Sequence, residues 1–165
     1  MPGVCCGAGS AFNAIPNNET GGMSEELLRQ LCEMHNKTGS CQFGTLIQVM
    51  NRDPNLYYQF KGVHPRIGKP ISFLCAFDLY LNAGSGVFVI IYQTLHQTTH
   101  AITWDCNHGL ILDSNGDEVD GFLEPIEVKN VHCLDRVLSN LMVFKDSKAV
   151  LKIYECRRKI RSHMK

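Results

Sequence analysis

Residues 100–116, HAITWDCNHGLILDSNG, decide how this chain folds. His100 opens a short apolar run rich in β-branched and aromatic side chains. Asn107-His108-Gly109 then supplies a turn, and Leu110–Asp113 is a second apolar run. Two such runs about a glycine-containing turn predict a β-hairpin. In an antiparallel pair the outer ends meet, so His100 and Asp113 are expected side by side. A carboxylate there would orient an imidazole.

Outward from the hairpin, Val87–Leu95 predicts a strand, because GVFVIIY is β-branched and aromatic. Val119–Val128 predicts an edge strand and Ala149–Tyr154 a final one, before a basic C-terminal tail at 156–165. Residues 71–81 fit either strand or helix. Residues 51–70 hold three of the six prolines and read as irregular, with a strand at Leu56–Phe60. Upstream the periodicity becomes helical. CGAGSAFNAI, from Cys6 to Ile15, is a small-residue run suited to a closely packed helix ended by Pro16. Ser24 caps a second helix with Leu27, Leu28, Leu31 and Met34 on one face. Phe43, Leu46, Ile47, Val49 and Met50 mark a third, and Leu134, Val137, Leu138 and Leu141 a late one. The expectation is a single α+β domain over 1–165, helices first and a mostly antiparallel sheet second.

Composition narrows the function classes. The 16 Lys+Arg balance the 16 Asp+Glu, so global charge nominates neither nucleic acid nor an anionic membrane as partner. No apolar run is long enough to span a bilayer, and the first residues lack the pattern of a secretory signal. The eight cysteines are scattered through apolar segments without a CxxC pair, as reduced thiols of a cytoplasmic protein would be.

Cysteine, histidine and acid then stand in an order that suits thiol chemistry. A thiol attacks a carbonyl as thiolate, which a helix N-terminus and a neighbouring imidazole both favour. Cys6 at a helix start, His100 at a strand start and Asp113 on the next strand would act as nucleophile, general base and imidazole orienter. Cys6 and His100 are 94 residues apart, so only folding can assemble them. Cys5 is the competing nucleophile and Asn115 the alternate orienter. The bland readings are a packed thiol, a structural histidine and an Asp-Ser-Asn-Gly turn.

CGAGSAFNAI, GGMSEELL, TGSCQFGTLIQVM, HAITWD and LILDSNG, taken in order, resemble the papain-like cysteine peptidase superfamily. Within it the spacing is most similar to the Josephin deubiquitinases, and the double-glycine-leader peptidases share the order. The resemblance covers most of the chain. Cys6, Ser10 and Asn13 match its cysteine helix. It implies a papain-like fold, cleavage of peptide or isopeptide bonds, Cys6, His100 and Asp113 as catalytic residues, and a peptide or protein substrate with ubiquitin-like tails. It implies no metal and no organic cofactor. Two positions depart from it. The oxyanion glutamine expected about five residues before the cysteine is replaced by Met1, and the aromatic residue after the histidine by Ala101. A binding module that keeps the fold without activity, or an acyltransferase on it, are the alternatives.

Several other features have ordinary explanations. Cys41 after Gly39-Ser40 reads as a core thiol near a cap. His96 and His100 in HQTTH would share a helix face as metal ligands, but the segment is not helical in character. DSNGDE lacks the ligand pattern of a calcium loop. His108 reads as a turn residue and Trp104 as core.

Overall fold

The computed structural model describes residues 10, 11, 13–15, 26, 27, 29–31, 33, 43–63, 69–76, 78, 85–93, 99–112, 126, 127 and 150–159. They form an α+β arrangement around one antiparallel sheet. Helix α1 (Phe43–Arg52) buries Phe43, Leu46, Ile47 and Met50, the i, i+3, i+4, i+7 stripe of an amphipathic helix. Pro54 disfavours helical backbone at Asp53, and the Asp53 carboxylate accepts the Asn55 N–H at 2.8 Å in a local turn. The Lys159 ammonium then donates to the Met50 and Asp53 carbonyls at 3.2 and 2.7 Å, satisfying acceptors that the helix end leaves open.

The sheet comprises β1 (Tyr58–Gly62), β2 (Val87–Gln93), β3 (Thr99–Asp105), β4 (Leu110–Leu112), β5 (Ile126–Glu127) and β6 (Val150–Arg158), in the spatial order β1-β6-β2-β3-β4-β5. Every pairing between these strands is antiparallel. The hairpin read from residues 100–113 is present as β3 and β4, with Asp105 opposite Leu110 and Gly109 at φ 65° in the turn. Ile126–Glu127 lies at the sheet edge against β4, inside the segment expected to provide an edge strand.

Two boundaries differ from expectation, and one segment left open takes both forms. β1 begins at Tyr58 rather than Leu56, because the Asn55 turn delays extension. β6 continues to Arg158, so Cys156–Arg158 are strand rather than the start of a tail, paired with Tyr58–Phe60. Residues 71–76 hold an isolated bridge from Ile71 to Val150 and then a one-turn helix, α2 (Phe73–Ala76). Asp113, the expected end of the second hairpin strand, lies outside the described residues, as do Thr94 and Leu95 and the expected late helix.

Alternation sorts the central strands into two faces. Val87, Val89, Ile91, Ala101 and Tyr154 join Ala11, Ala14, Leu27, Leu31 and the buried stripe of α1 in one cluster. Phe88, Ile90, Tyr92, Ile102, Trp104, Ile111 and Ile153 point the other way and are also buried. The centre of the sheet is therefore a middle layer, dry on both sides. That is why GVFVIIY reads as a continuous apolar run rather than an alternating one.

Candidate functional site

His100 is the second residue of β3 and is 7% exposed. It stands opposite Tyr92 on β2, and the two rings meet edge to face at 5.5 Å and 84°. This places the imidazole on the face of Ile90, Ile102 and Trp104. The helical residues Ser10, Ala11 and Ala14 pack on the opposite face. There the Thr103 hydroxyl donates to the Ser10 carbonyl at 2.6 Å, and both residues are fully buried. The helix bearing the resemblance to the cysteine segment thus lies directly on the strand that carries His100, but against the other surface of it. Cys6, Cys5, Asp113 and Asn115 lie outside the described residues. Leu112, immediately before Asp113, pairs with Thr103.

A cleft of about 490 Å³ opens at the start of β3 on the helix-bearing face. Phe43, Gly44, Thr45 and Gln48 from the first turns of α1 form one wall. Ile91, Thr99, Lys152 and Tyr154 from the sheet form the other. Burial raises the Tyr154 phenol above its ordinary pKa, so it stays a neutral donor. Among the described residues Lys152 is the only charged one in the lining.

A second set of cysteine, histidine and acid sits in the β3–β4 turn, and its chemistry differs. The His108 Nδ1 lies 2.7 Å from the Asp105 carboxylate, with the imidazole largely in solvent. The adjacent Cys106 thiol is pushed up to about 12, first by burial and then by the charges of Asp105 and Glu155. Cys156 is pushed up to about 12 as well, by burial and then by Glu155. A thiol so shifted is protonated at neutral pH and is a poor nucleophile. His108 is a turn residue, in keeping with its sequence context. The turn is further held by Asn107, whose side-chain oxygen accepts the Gly86 N–H at 2.8 Å.

Among the described residues no group of three or more His, Cys, Asp or Glu is positioned to hold a metal ion. His100 lies in a strand, so the helical spacing required of HQTTH is not adopted at that end; His96 is outside the described residues. Cys75, Cys106 and Cys156 are thiols, and Cys41 is outside the described residues. No described helix is long and apolar enough to cross a membrane.

Sequence reading passed over Thr103 and Asn51, whose side chains make contacts that position elements. A polar residue inside an otherwise apolar run, as Thr103 is within AITW, was the available signal. The class these residues define is an α+β protein with a six-stranded antiparallel sheet buried on both faces at its centre. No family model matches the chain, no curated protein matches it, and no solved structure matches its fold.

Proposed function

We propose that this chain is a thiol hydrolase of papain-like design. The observation that supports it is the contact between the Ser10 carbonyl and the Thr103 hydroxyl, which joins the cysteine-bearing segment to the histidine-bearing strand across 93 residues. In this reading Cys6 attacks an amide or isopeptide carbonyl. His100 takes the thiol proton and later returns it to the leaving amine. Asp113 holds the imidazole, and the backbone N–H of Cys6 faces the oxyanion. The alternation that sets Ile111 on the face of His100 would, continued one step of two residues, set Asp113 there too. The substrate is an extended peptide, and the Josephin resemblance points to ubiquitin-like tails.

The direction of His100 sets a condition on this reading. The thiol must pass around the start of β3 to reach the far face. Thr103 and His100 are separated by about 10 Å of strand, and four residues of chain from Ser10 to Cys6 can span about 14 Å. That span holds only for extended chain; as helix the same four residues cover about 6 Å, so the reading requires the chain before Ser10 to leave the helix.

A second reading is favoured by the burial of that same imidazole. At 7% exposure and packed on Tyr92, His100 has the surroundings of a core residue. On that reading the chain is a binding module without turnover.

Alkylation by limiting iodoacetamide across pH 5 to 10, mapped by mass spectrometry, separates the two. The hydrolase requires Cys6 to react with an apparent pKa well below the ordinary ~8.5, and requires His100→Asn to erase that depression. It also requires cleavage of ubiquitin-coumarin or peptide reporters that Cys6→Ala abolishes. Equal rates in wild type and Cys6→Ala, or an ordinary thiol with no turnover, leave the binding module.

A further inference from the structure

Two consecutive residues of β6, Leu151 and Lys152, line the same cleft at the start of β3. Regular alternation would send them to opposite faces of the sheet. The register of the β2–β6 ladder shifts at this point: Ile91 pairs with Lys152, but Tyr92 pairs with Val150. Leu151 is left over as a bulge, a device that re-aims side chains and recurs beside functional sites. Tyr154, two residues on from Lys152, lines the cleft by ordinary alternation. An apolar group, a cation and a phenol thus share one concavity.

The rest of the lining is equally selective. Phe43 and Ile91 are apolar, and the Phe43 and Tyr154 rings meet at 5.0 Å and 44°. Thr45, Gln48 and Thr99 add hydroxyl and amide groups. Among the described residues no acid lines the cleft, and neither the Lys152 ammonium nor the Tyr154 hydroxyl has a hydrogen-bond or ion-pair partner. A Cβ at Gly44 would meet nothing within 4 Å, so that wall faces open space.

We infer that this cleft binds a carboxylate carried on an apolar stem. The Lys152 ammonium meets the carboxylate, and Phe43, Ile91 and Leu151 hold the stem. A volume of about 490 Å³ is in the range of small-ligand sites. One cation balances one negative charge, so a carboxylate fits better than a phosphate, which carries about two. Burial keeps the Tyr154 phenol neutral, so it donates to an anion rather than repelling it. The inference is independent of the hydrolase reading. Thr99 lines the cleft, but the next residue, His100, turns to the other face of the sheet with Tyr92.

A free organic acid and the C-terminus of a peptide present this same chemistry. Amide NMR titration of the full chain with phenylacetate, with neutral phenylacetamide and with acetylated glycylglycylphenylalanine tests the inference and separates the two sources. Shifts should centre on Gly44, Thr45, Thr99 and Lys152. Phenylacetate should bind about tenfold more tightly than phenylacetamide, the scale of one charge-assisted hydrogen bond. Lys152 is exposed, so the fold tolerates Lys152→Met, which should erase the acid's advantage and leave amide binding as it was. Gly44→Leu puts a side chain into the open space and should weaken acid and amide alike. Tighter binding of phenylacetate assigns the cleft to a free acid, and tighter binding of the peptide to a chain end. Equal affinity for acid and amide, an acid preference that survives Lys152→Met, shifts centred elsewhere, or no binding of either acid at millimolar concentration overturns the inference.

Discussion

Thr103 donates its hydroxyl hydrogen to the Ser10 carbonyl at 2.6 Å in a site with no solvent exposure on either residue. The Ser10 hydroxyl, by contrast, is buried with no hydrogen-bond partner. Two substitutions should therefore act in opposite directions. Thr103→Val keeps the shape and strands a buried carbonyl, which costs about 1–3 kcal/mol. Ser10→Ala removes an uncompensated hydroxyl and should leave stability unchanged or raise it by about 1 kcal/mol. Urea denaturation of the two variants reads both signs.

The thiols of Cys106 and Cys156 give a pH dependence whose sign is set by burial. Both have folded pKa values of about 12, above the ordinary thiol value of 9.0. Below pH 9 both are protonated whether or not the chain is folded, and their full contribution is present. Above it the unfolded chain loses those protons first. Stability should fall as pH rises from about 9 towards 12, and Cys156→Ala should flatten part of that fall. Under native conditions at pH 8 the exposed Cys75 should be alkylated well before either of them.

Much of this architecture is legible in the residues. The β-branched run of β2, the turn at Asn107–Gly109 and the stripe of α1 each carry their own period, and each appears where it was read. Charge misled at the C-terminus. Arg157 and Arg158 look like a solvated tail, yet they sit in β6, with Arg157 paired to Glu155 and Arg158 stacked within 6 Å of the Tyr57 and Tyr58 rings. What could not be read is which face of β3 meets the helices. His100, Ala101, Ile102, Thr103 and Trp104 are all buried, so the period-2 signal that would assign faces is absent. That ambiguity falls on the candidate site itself. The hairpin around His100 could be foreseen, whereas the direction of its ring could not.

Gly86 tests the approach of β2 to the β3–β4 turn. Its φ is 99°, its carbonyl accepts the Cys106 N–H at 2.9 Å, and a Cβ there would lie 3.1 Å from the Phe88 ring and 3.2 Å from a Glu155 oxygen. Backbone strain and crowding act together. Gly86→Ala should cost about 1–3 kcal/mol in thermal or urea unfolding, and the loss should not be recovered by Glu155→Ala, since the φ penalty and the Phe88 contact remain.

Ala101 decides the face on which the hydrolase reading depends. It is 1% exposed and lies in the cluster with Ala11 and Ala14, where a helix of small residues comes close to the sheet. The Josephin resemblance leads one to look for an aromatic residue at this place in the chain, directly after the histidine. With Ala101 under the helix there is no room for one, which gives the alanine a packing reason. Ala101→Phe should therefore overpack the helix–sheet interface and destabilise the fold by at least about 1–3 kcal/mol. A melting temperature for Ala101→Phe close to wild type would contradict the close packing of Ala101 under the helix. A large loss would keep the imidazole on the far side, and the thiol would then have to come around the end of β3 to meet it.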